Sequence, residues 1–240
     1  MKNIWPMMLA TLAACTTLET RPVKVTEVYP SGSIKANASP ANGGRAAADT
    51  VAPPPLQTAQ QWTYRRVDLW RNQEIERFRQ ELVFEDGGRW MVRWTILNSD
   101  DAQRRGSITG ELFNPSSHGF ADSRISGDHA PLRFPLASGK SWSFEYVVRS
   151  KGKEVKVRQT AIARGWEEVR VPAGSFRAIR VEHDGRYQAS EGEYSWSGKI
   201  REIYWYAPAA GRVVMREYRD TKGDGGPWDQ WRDELVTLKL

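Results

Sequence analysis

Residues 82–97 read LVFEDGGRWMVRWTIL, and this stretch decides the fold. Leu82 and Phe84 alternate with Val83 and Glu85, after which the chain reads Asp-Gly-Gly. The segment that follows is rich in aromatic and β-branched residues, which favour strands. An Asp-Gly pair between two such segments is a strong β-hairpin signal. The stretch therefore predicts two antiparallel strands joined by a tight turn.

The same strand-like pattern extends over most of the chain. It begins at residues 62–70, and turn signals recur about every 8–12 residues, as they do in all-β folds. The spacing of Ile75, Phe78 and Leu82 also fits a helical stripe, but we favour a strand there. We predict an all-β antiparallel curved sheet, a half-barrel or barrel, with a β-sandwich as the alternative, and a long loop at residues 114–131. The further strands are predicted at residues 107–113, 141–149, 154–163, 167–171, 176–183, 194–206, 212–219 and 231–238.

Three turn-rich segments carry a resemblance to known proteins. They read PLASGKSW at residues 135–142, VPAGSFRA at residues 171–178 and YWYAPAAGRVV at residues 204–214. In this order they resemble secreted bacterial β-proteins that are grouped under domains of unknown function. The resemblance covers residues 132–240 and implies a β-rich fold. It carries no catalytic residue across, because the shared residues are turn and core residues.

The N-terminus has the layout of a secretory signal. A basic start precedes an uncharged apolar run and then small residues, so we predict a signal peptide over residues 1–14. Cys15 follows Leu-Ala-Ala, which resembles a lipobox and implies cleavage before Cys15 and a diacylglycerol on its sulfur. Further acylation, as by palmitate, would anchor the protein stably. Thr16 in place of aspartate resembles outer-membrane sorting, so we expect a lipid-anchored protein at the outer membrane that faces the periplasm.

The mature chain divides into a tether and one domain. Residues 15–60 hold many proline, alanine, serine and threonine residues and one aromatic residue, Tyr29. Such a segment buries too little apolar area to offset the chain entropy of folding, so we predict a disordered tether. Residues 61–240 suit a single β-domain. Because Cys15 is the only cysteine, this domain must fold without a disulfide.

Catalytic and metal-binding signatures are missing from the sequence. It contains no G-x-S-x-G nucleophile motif, no H-E-x-x-H pair and no phosphate-binding glycine loop. His118 and His129 are predicted to lie in loops, and His183 is predicted at the surface or in a hairpin. We therefore name no catalytic residue, no metal ligand and no cofactor.

The tryptophans are the main candidates for a ligand site. All but one of the eleven lie in the predicted β-domain, where most are expected in the core. Trp90 and Trp94 are four residues apart and share one face of a strand. Together with Trp196 they form our candidate ligand groove, because aromatic walls suit sugar rings and acyl chains. The net charge of +6 comes from basic residues dispersed among acidic ones, so nucleic acid is not an expected partner.

The function predicted from these features is a non-enzymatic binding module for a lipid, a glycan or an envelope protein. One alternative is a structural or adaptor component of an envelope assembly. Another is a weak hydrolase of an envelope polymer, which would need a carboxylate with a raised pKa in a cleft. The sequence leaves open whether the protein is an enzyme, although its lack of catalytic motifs favours a binding role.

Overall fold

The computed structural model describes residues 50–87, 89–98, 106–112, 114–117 and 123–240. Cys15 and the predicted signal peptide therefore lie outside the described residues, as does His118. Within the described ranges, no helix is long and apolar enough to cross a membrane. The strands are β1 (Gln61–Asp68), β2 (Gln73–Asp86), β3 (Arg89–Ile96), β4 (Gly106–Leu112), β5 (Arg124–Gly127), β6 (Ser141–Ser150), β7 (Lys153–Val171), β8 (Gly174–Glu191), β9 (Tyr194–Ala207), β10 (Arg212–Lys222) and β11 (Pro227–Lys239).

All eleven strands belong to one sheet, in the order β4-β3-β2-β1-β11-β10-β9-β8-β7-β6-β5. Every pair of neighbours is antiparallel. The sheet curls around its own side chains and stays open between β4 and β5, which are its two edges. This confirms the predicted curved antiparallel sheet, in its half-barrel form. The sandwich alternative is wrong, because a sandwich needs two packed sheets.

The hairpin that the opening stretch predicts is formed by β2 and β3. Leu82 lies opposite Val92, and a bulge shifts the register before Phe84 pairs with Met91. Gly87 has φ 56°, a conformation that suits glycine in a tight turn. The helical alternative for residues 75–82 is wrong, since these residues lie within β2.

Two features of the strands differ from the prediction. β5 lies inside the segment that we predicted as a long loop. The prediction missed this strand because its sequence, Arg-Ile-Ser-Gly, contains only one apolar residue. β7 is a single strand of 19 residues where two shorter strands were predicted. A bulge between Ala163 and Gly165 joins the two parts and keeps both paired with β8.

Two clusters of buried side chains pack against the curled sheet. One joins the segment around Leu132 and Leu136 to β6–β9, and the other joins β1–β4 to the far ends of β7–β10. At the end of β9, Tyr204 and Tyr206 belong to the first cluster, and Trp205 belongs to the second. The sheet is therefore covered on both faces at this point.

The chain packs against the domain before residue 61. Val51 exchanges backbone hydrogen bonds with Leu136, and the Ala59 N–H donates to the Leu82 carbonyl. Leu56 packs against the second cluster. The packed chain therefore begins about ten residues before the boundary predicted for the tether, whose residues 15–49 lie outside the described ranges.

Candidate functional site: the cleft between the sheet edges

A cleft of about 1010 Å³ lies between the two edges of the sheet. β3 and β4 form one wall, and β5 with the β6–β7 hairpin forms the other. Ligand pockets typically measure about 300–1,000 Å³, so the cleft is large enough for a sizeable ligand. Within the described ranges neither edge strand pairs with a second neighbour, and the backbone groups along both outer edges face this region.

The wall on the β3–β4 side combines apolar and aromatic side chains with Thr109 and Glu111. Val92, Trp94 and Ile108 line it, and Ile108 is 40% exposed. Trp94 stacks on Phe78 with the ring centroids 4.7 Å apart and is only 7% exposed, so most of its ring belongs to the core. As an unpaired edge strand, β4 also presents backbone N–H and C=O groups with which a further strand could pair.

The opposite wall carries an excess of positive charge. Four of its side chains are basic and one, Glu154, is acidic. Arg149 forms an ion pair with Glu154 at 2.7 Å, and the ammonium of Lys153 lies 4.7 Å from the ring centroid of Trp196. Partial burial lowers the pKa of Lys153, against the opposing influence of Glu191 and Asp220. The four basic residues of this wall are Arg124, Arg149, Lys151 and Lys153.

The three tryptophans of the predicted groove have different positions. Trp94 lines the cleft. Trp90, on the same face of β3, packs against the second buried cluster. Trp196 packs against the first cluster and touches the cleft only through Lys153. The structure thus brings one of them into the wall and one beside it, and their role in binding a ligand stays a prediction.

A row of alternating charges crosses the sheet on the face that carries Trp94. Arg66 forms ion pairs with Glu76 at 3.8 Å and with Asp233 at 2.8 Å. Arg216 lies opposite Asp233 in the register and forms an ion pair with Glu202. We call this set the ion row, and it comprises Glu76, Arg66, Asp233, Arg216, Glu202 and, opposite Glu202 on β8, His183.

Glu202 is the most enclosed carboxylate of the ion row. Its Oε2 accepts a hydrogen bond of 2.8 Å from the Gln159 amide, and its Oε1 accepts one of 3.2 Å from the Tyr204 hydroxyl. Burial by itself raises the pKa of Glu202, but Arg216, His183 and the hydrogen bond from Gln159 outweigh burial and hold the pKa below its usual value. The carboxylate therefore stays ionised as a partner for Arg216.

Aromatic rings cover the cations of the ion row. The guanidinium of Arg66 lies 3.9 Å from the centroid of the Trp231 ring, and the guanidinium of Arg216 lies 4.8 Å from the same centroid. Tyr218 stacks on Trp231 at 4.8 Å. Such cation–π contacts stabilise desolvated cations. The charged side chains of the row are therefore paired with one another within the fold, whereas the buried His183 Nδ1 has no hydrogen-bond partner. We assign the row to holding the strands in register.

His183 is a correction to the sequence analysis. It is fully buried, and its Nε2 shares a 2.7 Å hydrogen bond with the Pro131 carbonyl. The prediction of a surface or hairpin position was wrong, because β8 continues to Glu191 and places His183 mid-strand. His129 is in a loop as predicted, but it is buried against Tyr146 at 4.5 Å. No group of three or more His, Cys, Asp or Glu among the described residues could hold a metal ion.

Solved structures of similar fold exist, although no protein-family model and no curated protein matches the chain. A protein assigned as a lipoprotein from Parabacteroides distasonis is 13% identical with a TM-score of 0.51, and the match covers 80% of this chain and 100% of that one. An exported protein with a YmcC-like fold from Bacteroides fragilis is 16% identical with a TM-score of 0.49, covering 81% and 100%. The hypothetical lipoprotein YmcC from Escherichia coli is 11% identical with a TM-score of 0.38, and the match covers 76% of this chain and 85% of that one. At these identities the Parabacteroides match shows a shared fold alone, and the TM-scores of the other two carry no argument.

Proposed function

We propose that this protein is a lipid-anchored envelope protein whose β-domain binds, without catalysis, an extended segment of another envelope protein in the cleft between β4 and β5. Cys15 would be the lipidated residue, at the outer membrane and facing the periplasm. The lipobox-like sequence supports the anchor. The assignment of the Parabacteroides structural neighbour as a lipoprotein agrees with it.

The observation that carries the binding proposal is the odd number of strands in the part of the chain that the structure describes. In a sheet of eleven strands with only antiparallel neighbours, the first and last strands run in the same direction. β4 and β5 therefore cannot close the sheet by pairing antiparallel with each other. One added strand, antiparallel to both, would give each edge its missing hydrogen-bond partners and close the sheet. Both edges line the same cleft, where such a strand would lie.

Cross-linking in intact cells tests this proposal. A photoreactive amino acid at Ser107 and one at Glu111 would mark the two ends of β4, and one at Ser126 would mark β5. Thr237, an exposed position on β11 in the middle of the sheet, provides the matched control. We expect one protein to be linked from β4 and β5 but not from Thr237. Links from the two ends of β4 should fall on one peptide of that protein in reverse order, because the added strand is antiparallel.

Two outcomes would overturn the binding proposal. One is that neither edge yields a protein link in the envelope. The other is a native mass spectrum of the purified protein that shows a lipid or glycan in the cleft, lost when Lys151 and Lys153 are changed to Glu. The anchor has its own test, since Cys15→Ser should release the protein from membranes, and retention there would refute lipidation.

A further inference from the structure

We propose that the partner segment in the cleft carries acidic side chains at its C-terminal end, where the basic wall of the cleft binds them. This inference rests on the proposed function, because it concerns a partner strand that pairs antiparallel in the same cleft. It names the chemistry of that partner and the direction in which it lies.

The direction of an added strand follows from the edge that it covers. A strand that pairs antiparallel with β5 runs from the level of Gly127 towards the level of Arg124. Its C-terminal end therefore reaches the start of β5. The turn between β6 and β7, at Lys151 and Gly152, lies beside this point, because Arg124 pairs in register with Arg149.

The basic residues of the cleft are gathered at this same point. Arg124 is the first residue of β5, and Arg149 lies opposite it on β6. Lys151 lies in the turn that follows, and Lys153 is the first residue of β7. All four line the cleft. A strand antiparallel to β5 thus meets these four cations with its C-terminal end.

The positive charges of the cleft exceed its negative charges. The cleft is lined by four basic side chains and by two acidic ones, Glu111 and Glu154. Glu154 is already bound by Arg149 at 2.7 Å. Arg124 and Lys151 are exposed, and neither forms an ion pair with a carboxylate in the part of the chain that the structure describes. Acidic side chains of a partner would supply the complementary charge.

The register predicts where the acidic side chains would lie along the partner. Directly opposed residues of neighbouring strands share a face, so the partner residue opposite Arg124 lies on the face of Arg124 and Arg149. The next partner residue points to the other face, on which Lys153 lies 4.7 Å from the ring centroid of Trp196. The preceding partner residue lies opposite Ile125, which packs against the first buried cluster. The expected pattern is therefore one apolar residue followed by two acidic residues.

The peptide that is cross-linked from β5 tests this pattern in intact cells. A photoreactive amino acid at Ser126 of the full-length protein links to the partner residue that lies opposite it. The partner residue opposite Arg124 lies two positions further towards the partner's C-terminus, because the strands are antiparallel. Mass spectrometry should therefore find Asp or Glu two and three positions after the linked residue. A linked peptide without an acidic residue in the four positions after the link would overturn the inference.

Charge reversal in the cleft provides a second measurement. Arg124→Glu combined with Lys151→Glu should lower the yield of the link from Ser107 on β4 by about five-fold or more, because like charges then face each other. The matched control is Arg170→Glu combined with Lys199→Glu, which makes the same change of charge at exposed positions outside the cleft. The control should leave the yield within about two-fold of the unchanged protein. Equal yields from the two double variants would overturn the inference.

Charge exchange separates the loss of an attraction from damage to the fold. Replacement of the two acidic partner residues by Lys should restore the link to the protein that carries Arg124→Glu and Lys151→Glu. The same partner variant should link poorly to the unchanged protein. Failure of the exchanged pair to recover the link would overturn the inference.

The two proposals fail in different ways. One protein that is linked from both β4 and β5, but without acidic residues after the Ser126 link, would refute the acidic end and keep the binding function. The absence of any envelope protein linked from either edge would refute the binding function itself, and the acidic end with it.

Discussion

Replacement of Arg216 by methionine tests whether the ion row stabilises the sheet. Arg216 is 4% exposed, and its Nε donates to Glu202 Oε1 at 3.1 Å. Methionine keeps the apolar stem and removes the charge, so Glu202 would remain buried with only Gln159 and Tyr204 as donors. Removal of one partner from a buried ion pair costs about 3–5 kcal/mol, because the other charge is left uncompensated. We expect a loss of this size in the free energy of unfolding at pH 7.5, measured by urea titration with tryptophan fluorescence.

The pH dependence of this effect has a defined sign. The folded pKa of Glu202 is lowered below 4.5, so its carboxylate contributes stability above that pH and loses it as the pH falls through the folded pKa. Without Arg216, burial would dominate and raise this pKa, so the difference between the two proteins should shrink towards pH 4. Arg219→Met provides the control, since its side chain is 57% exposed and its pair with Glu217 spans 3.8 Å. A loss below about 1 kcal/mol for Arg216→Met, or one that matches Arg219→Met, would refute the structural role of the row.

Three other predictions concern packing and titration. Gly198→Ala should lower the free energy of unfolding in urea by about 1–3 kcal/mol, because the added Cβ would lie 2.5 Å from the Tyr187 ring. The control Gly110→Ala should change it little, since a Cβ there meets nothing within 4 Å. Equal losses in the two variants would contradict this prediction. Burial raises the pKa of Asp220 to about 6, so ionising this carboxyl destabilises the folded protein as the pH rises from 3.8 through 6. Asp220→Asn should therefore raise the urea midpoint at pH 7.5 but not at pH 3.5. An unchanged midpoint at pH 7.5 would refute the destabilising role of the Asp220 carboxylate. Burial lowers the pKa of His129 to about 4, so its ring should stay neutral from pH 5 to 8 in an NMR titration, and a midpoint near 6.5 would disprove this burial.

The hairpins of the sheet could be predicted because their signals are local. The Pro-Ala-Gly turn after Val171 joins β7 to β8, and Gly211 with φ 59° ends the turn between β9 and β10. Turn residues and alternation in strands act over a few neighbours, so a single sequence reveals them. Pairing between β1 and β11 leaves no such local mark, since it depends on residues that are far apart in the chain.

The candidate site could be predicted only in part. Trp94 was singled out by its spacing from Trp90, and it does line the cleft. The basic wall was missed because Arg149 and Lys153 flank a hairpin turn, where charged residues are ordinarily solvated. The ion row was missed for the same reason, since Glu202 and Arg216 resemble solvent-facing residues of their strands. A signal was present in REIYWYA at residues 201–207, where a glutamate stands among residues too apolar for an exposed face.

The pairing of the first strand with the last has a consequence for biogenesis. β1 lies in the interior of the sheet and obtains its second neighbour only when β11, which is far away in the sequence, is present. A chain emerging from the ribosome or from a secretion channel can form the hairpins of β6–β10, but it cannot complete the sheet. Contacts between residues so distant in sequence form slowly. The sheet can therefore be completed only after β11 has been synthesised, and a nonsense mutation before β11 should leave an incomplete sheet open to proteolysis.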